Sequence, residues 1–277
     1  MQAVPFPQLI VDGAKNVLEI KEQPMRLISL SPGVTELLFA IGAGERVVAV
    51  TTWCNYPLEA SKLEKVGDMN INFEVVAKLA PDLVVADNTL QQTTAERLTN
   101  LGLTVLQVKP ANIAGILDSI ELLGRVTGCL DQAQDLVGEL TMLLSANRRK
   151  VENSSLAKNP VSVVVLFDPE EFYSAGSGTY IDEVITRAGG ANLAASVPGA
   201  WPKLSVEYVL AKDPEIILLT YGDRTDLTKN PYLRQLSAVK AGRVYTLDPD
   251  IYNRPTDRLI KGIPPLTELF LQAREAR

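Results

Sequence analysis

The sequence predicts an α/β protein of two Rossmann-like lobes with mostly parallel sheets, joined by one long rigid helix, with a ligand cleft between the lobes. Three observations predict it. Short β-branched runs alternate with helical patterns, an uninterrupted helical stretch lies near the middle of the chain, and one supersecondary unit occurs twice.

In the first half, residues 26–30, 47–50, 83–86 and 105–108 are short runs rich in Val, Ile and Leu and read as strands. Residues 36–41, 73–79, 94–101 and 113–125 read as the helices between them. Strand and helix in alternation imply crossovers, hence parallel strands with both faces covered. From 131 to about 152, Ala133, Leu136, Val137, Leu140, Leu144 and Val151 fall near a 3.6-residue period, interrupted only by Gly138. A helix of that length spans roughly 30 Å, so it reads as a strut rather than a hinge and predicts small lobe movement on binding. In the second half, strands are expected at 161–167, 216–220 and 244–247, with helices at 180–188, 206–211, 232–236 and 256–273. The expected organisation is an N-terminal lobe at 1–128 with a short extension at 1–24, a connecting helix at 129–155, and a C-terminal lobe at 156–277.

The repeated unit supports two lobes. Residues 72–85 align without a gap on 205–218. Each copy has an N-cap residue (Asn72, Ser205), a glutamate two positions on (Glu74, Glu207), a short amphipathic helix, a proline-acid pair and an apolar strand.

Composition removes whole classes of chemistry. The chain has 277 residues and no histidine. Ser-His-Asp and Cys-His catalysis and histidine-ligated zinc or haem therefore lack their imidazole. With 46% apolar and 22% charged residues the chain can bury a core. Lys and Arg number 27 against 33 Asp and Glu, a formal charge of −6, so there is no electrostatic footprint for nucleic acid or anionic lipid. No apolar run approaches the roughly 20 residues of a membrane span. Residues 1–21 lack a basic segment followed by an apolar stretch, so a signal sequence is expected to be absent from this chain or already removed. Cys54 and Cys129 match no metal-ligand spacing, and two unpaired thiols are the favoured reading over one disulfide.

Nucleotide motifs are absent in usable form. Gly42-Ala43-Gly44 ends a helix instead of opening one, and Gly176-Ser177-Gly178-Thr179 lacks the P-loop lysine. Asp68, Asp87 and Asp250 are candidate acids, yet no carboxylate pair or nucleophile-base pair follows from spacing. The sequence gives no catalytic residue, metal ligand or cofactor; an α/β enzyme is the alternative of a different class.

Polar and aromatic residues instead gather just after the strands, at the carboxyl edge where open α/β sheets bind ligands. Ser29 to Gly33, including Ser31, follows the first strand, Thr52 to Pro57, with Trp53 and Tyr56, the second, and Asp87 to Thr89 the third. In the second lobe the corresponding loops hold Phe172-Tyr173-Ser174, Ala200-Trp201-Pro202 and Asp248 to Arg254. Both tryptophans lie in these loops. Such rings suit a bulky planar ligand, whereas the bland alternative is that they cover strand ends.

The order of Arg26 to Glu36, Asn55-Tyr56-Pro57, residues 72–85, Trp201 to Glu207 and Asp250 to Arg254 resembles the periplasmic substrate-binding proteins of ATP-driven cobalamin, iron-siderophore and haem importers, and among them most the cobalamin binders. The match runs from about residue 25 to the C-terminal helix. The resemblance implies an extracytoplasmic protein, free or lipid-anchored, that works as a monomer, performs no chemistry on its ligand, and delivers a corrinoid to a permease with its ATPase subunits. It implies that Trp53, Tyr56, Phe172 and Trp201 face the corrin, with Asp250 and Arg254 at its polar rim and Tyr252 in the same loop. The family's cobalamin binders carry tryptophans where this chain has Asp68 or Met69 and Asp87, which suit amide or amine donors. A ferric siderophore or haem is the alternative ligand, with Tyr56, Tyr173 or Tyr252 to ligate iron. Glu74 and Glu207 correspond to the pair, one glutamate per lobe, that docks on arginine pockets of the permease.

Overall fold

The structure, a computed structural model, describes residues 5–222 and 224–275; residues 1–4 of the expected extension lie outside them. The chain divides into two compact units, 1–140 and 141–277. Their boundary falls inside one continuous helix, Leu130–Glu152.

Unit 1 opens with an antiparallel hairpin, β1 (Gln8–Val11) and β2 (Val17–Ile20). Its main sheet comprises β3 (Leu27–Ser29), β4 (Val47–Val50), β5 (Glu64–Lys65), β6 (Leu83–Asp87) and β7 (Val105–Val108), all parallel in the order β5-β4-β3-β6-β7. Every residue of β3, β6 and β7 is buried, including Ser29, Asp87 and Gln107, which explains why these strands read as mostly apolar runs without alternation. Each fully buried Leu, Ile or Val side chain contributes about 1.5–3 kcal/mol of transfer free energy. The strand order reverses between β3 and β6, making their carboxyl ends the switch point where a crevice forms.

Unit 2 repeats the plan with β8 (Val161–Leu166), β9 (Gly190–Asn192), β10 (Ile216–Leu219) and β11 (Val244–Thr246), parallel in the order β11-β10-β8-β9. Here the reversal lies between β8 and β10. The repeated unit superposes on this plan in detail. Asn72 Oδ1 accepts from Val75 N at 3.1 Å and Ser205 Oγ from Tyr208 N at 3.0 Å, capping the helices Phe73–Lys78 and Val206–Lys212. Ala80 (φ +45°) and Asp213 (φ +39°), opposite each other in the alignment, both turn the chain through the left-handed region before β6 and β10 begin.

The connecting helix is held differently along its length. Ala133, Leu136 and Leu140 are buried, and Ala133 packs so closely on Gly124 that a Cβ there would lie 2.3 Å from it. Beyond the boundary, buried Asn147 donates to Arg187 O at 2.9 Å and accepts from Thr267 Oγ1 at 3.0 Å.

Several elements differ from expectation. The extension holds a hairpin because Asp12 organises its turn: Oδ1 accepts from Ala14 N and Asn16 N at 2.9 and 2.8 Å, and Oδ2 from Gln107 N at 3.2 Å, tying the turn to β7. The helix expected at 94–101 runs Asn88–Asn100, bent at Gln91 (φ −131°). The terminal helix divides at Gly262 into Asp257–Lys261 and Ile263–Glu275, the second opening on Pro264-Pro265, which lack the donors a continuous helix needs. The stretch at 232–236 forms a single 3-10 turn, Leu233–Gln235, followed by the short helix Ser237–Lys240.

Candidate ligand-binding site

At the carboxyl edge of unit 1, the loop after β4 presents its two rings outward. Trp53 is 62% exposed and Tyr56 47%. The residue between them that turns inward is Cys54, whose buried Sγ lies 3.1 Å from both Thr35 Oγ1 and Thr51 Oγ1. This small polar anchor, with Thr52 N donating to Gly67 O at 2.8 Å, fixes the loop. Met69 and Leu90, in the loop after β5 and in the first turn after β6, are also largely exposed. Both cysteines are free and buried, Cys129 beside Arg46 Nη2 at 3.0 Å.

The polar residues expected on this edge divide. Ser31 is buried, and its hydroxyl caps the helix Pro32–Ala40 by accepting from Val34 N at 3.3 Å. Asp68 is exposed, its Oδ1 accepting from Asn70 N at 2.7 Å. Asp87 lies at the switch point, buried, with Oδ1 accepting from Thr89 N at 2.8 Å and Thr89 Oγ1 at 2.5 Å. Burial pushes its carboxyl above the ordinary range, against the lowering effect of the two Thr89 bonds. The bend at Gln91 lets that amide close the switch point: its nitrogen donates to Leu30 O at the end of β3, and its oxygen accepts from Asp87 N at 3.2 Å in β6.

At the carboxyl edge of unit 2, Trp201 is 45% exposed and sits between two other rings, its centroid 5.7 Å from Phe167 and 5.6 Å from Tyr180 in tilted geometry. Tyr180 is fixed in turn by donating from its hydroxyl to Asn253 O at 3.1 Å. Arg254 and Asp250 form an ion pair at 2.6 Å, the guanidinium mostly buried and the carboxylate half-exposed. The pair leaves a half-exposed carboxylate acceptor at the surface, held by a guanidinium that is mostly buried. Lys203 pairs with Glu171 and lies 5.3 Å over the Tyr173 ring.

Two expected ligand-facing rings are corrected. Phe172 is buried in the unit 2 core with Leu166, Leu204 and Val209. Its backbone, at φ +59°, is pinned by Phe172 N donating to Asp168 O and Leu204 N to Phe172 O, which turns the ring inward. Tyr252 is also interior, its hydroxyl donating to Gly262 O at 2.9 Å. Burial, with the Asp248 charge adding to it, pushes its phenol up to about 12. Phe167 and Tyr180, which the sequence placed in a strand and a helix, take the place beside Trp201. The signal was available: 167 is the last residue of its strand pattern and 180 the first of its helix, so both fall at the edge where strands end.

A cavity of about 510 Å³ opens elsewhere in unit 1, where Gly13 and Lys15 meet Asn112 and Gly115, and no aromatic residue lines it. Among the described residues, none group so as to hold a metal ion, and no helix is long and apolar enough to cross a membrane.

The chain matches the family model for periplasmic binding proteins over residues 27–251. It is 34% identical to an uncharacterized ABC transporter substrate-binding lipoprotein, YvrC, of Bacillus subtilis, over 95% of this chain and 85% of that protein. It is 30% identical to the vitamin B12-binding protein of Photorhabdus laumondii, over 88% of this chain and 87% of the relative. Among solved structures it resembles the periplasmic vitamin B12-binding protein BtuF of Vibrio cholerae, at 27% identity and a TM-score of 0.79, covering 91% of this chain and 98% of the other. Two reversed parallel sheets with rings at their carboxyl edges, and a family match spanning both, lead to one conclusion: the chain belongs to the periplasmic binding protein family, the substrate-binding components of ABC importers.

Proposed function

We propose that this protein captures a corrinoid of the cobalamin type outside the cytoplasm and delivers it to an ABC importer. The observation that carries the reading is the exposure of both tryptophans at carboxyl edges: Trp53 in unit 1, Trp201 in unit 2. Large rings held half in water by buried anchors gain by covering the flat apolar face of a macrocycle. The half-exposed Asp250 carboxylate, with exposed Asp68, suits the amide donors at a corrin's rim. The cobalamin-type names of similar proteins point the same way. A carboxylate-rich ferric siderophore would instead favour a cluster of Arg and Lys.

In the same reading, Glu74 and Glu207 dock the protein on its permease. Both are exposed at the second position of a capped helix, where the helix N-terminus stabilises the carboxylate. Titration calorimetry with cyanocobalamin tests the proposal: saturable binding of one equivalent supports it, and absence of heat together with saturable binding of a ferric siderophore contradicts it.

A further inference from the structure

We infer that Tyr221 is a further ligand-binding residue, presenting its ring to the macrocycle at the switch point of the unit 2 sheet; the inference rests on the reading above and deepens it. The backbone of β10 stays in its ladder to the end. Thr220 N donates to Leu166 O at 3.3 Å on the β8 side, and Leu247 N donates to Leu219 O at 2.7 Å on the β11 side. Every residue from Ile216 to Thr220 is buried, and the next, Tyr221, is 55% exposed. The ring therefore leaves the sheet at the crevice between β8 and β10, where ligands of open α/β sheets bind.

The direction of the loop is fixed by Gly222. It sits at φ +72°, and a Cβ there would fall 2.8 Å from Pro169 Cγ. Pro169 belongs to the loop leaving β8, the loop that begins with Phe167. The chain just past Tyr221 thus packs on the segment that carries the Phe167 ring, and Phe167 in turn touches Trp201. The repeat agrees. Continued past residue 218, the alignment sets Thr220 opposite Asp87 and Tyr221 opposite Asn88, the residues at the switch point of unit 1. There the Gln91 amide holds the crevice; in unit 2 an exposed ring stands at the equivalent place. A phenol supplies a flat face for the macrocycle and a hydroxyl that can donate to a rim amide.

The test is calorimetric titration of the wild-type chain, Tyr221→Ala, Tyr221→Phe and the control Tyr232→Ala with cyanocobalamin, after circular dichroism shows equal folding. Tyr232 is similarly exposed, at 60%, but lies in the connection that follows the helix Arg224–Lys229. Tyr221→Ala should raise Kd about tenfold and Tyr221→Phe about two- to threefold, while Tyr232→Ala stays within about twofold of wild type. Equal affinity of Tyr221→Ala and wild type overturns the inference, as does an equal loss in Tyr232→Ala. If the wild type takes up no cyanocobalamin, the corrinoid reading fails separately. The same proteins titrated with hemin then decide Tyr221 by the same ratio, and a wild type that binds neither macrocycle overturns both.

Discussion

Unit 1 and unit 2 are built from the same part and finished differently. Each takes a capped helix with glutamate at its second position, a left-handed residue, a proline-acid pair and a buried strand, and each reverses its strand order beside that strand. At the carboxyl edges the likeness ends. Unit 1 exposes Trp53, Met69 and Leu90 and plugs its switch point with the Gln91 amide beside a buried Asp87. Unit 2 exposes Trp201, Tyr173 and Tyr221 and sets an ion pair nearby. Of the eight tyrosines, only Tyr56 precedes residue 141. The scaffold is thus repeated where it packs and varied at its carboxyl edges. Both edges expose a tryptophan, a tyrosine and a carboxylate; unit 1 adds the apolar Met69 and Leu90, and unit 2 a second exposed tyrosine.

The comparison can be broken first at its repeated feature. Replacing Glu74 and Glu207 together by Ala should abolish ligand import in a reconstituted importer while leaving affinity unchanged; loss of affinity would move the pair into the ligand site. Next comes the assignment of rings in unit 2. Phe172→Ala opens a core cavity and should destabilise the protein by about 3–5 kcal/mol in urea denaturation, whereas a stable variant with weakened ligand would restore Phe172 to the surface. Trp201→Ala should cost about 1–3 kcal/mol in ligand affinity with little change in stability. Tyr252→Phe leaves Gly262 O without its donor and should cost about 1–2 kcal/mol in stability with affinity unaltered.

The smallest effect sharpens the contrast at the switch points. Burial raises the Asp87 carboxyl in the folded chain above its unfolded value. The folded state therefore holds that proton more tightly, and stability is fullest below the unfolded value and falls as pH rises through the folded one. Asp87→Asn keeps an acceptor for Thr89 N and removes the dependence. The urea midpoint of the variant relative to wild type should therefore rise from pH 4 to pH 7, and a constant difference would contradict the assignment.

How much of this was legible in the sequence follows from what each residue must satisfy. A run such as 83–86 announces a buried strand because both of its faces are apolar, and Asn72 and Ser205 announce helix starts because their caps are local. The hairpin at β1 and β2 carried a readable sign, Asp12-Gly13 between apolar runs, but its stability depends on Gln107, distant in sequence. Ring orientation was the least legible. Phe172 and Tyr173 are neighbours in a loop, and a backbone at φ +59° sends the first into the core while the second stays half-exposed. Tyr221 was hidden for another reason: only the strand order reveals that β10 ends at the reversal.

The most direct measurement is the calorimetric titration of wild type, Trp53→Ala and Trp201→Ala with cyanocobalamin under identical conditions. The wild type should bind a single equivalent with Kd below about 1 μM, and each variant alone should lose affinity at unchanged stoichiometry. A wild type that fails to bind, or a Trp53→Ala variant indistinguishable from it, would contradict the account.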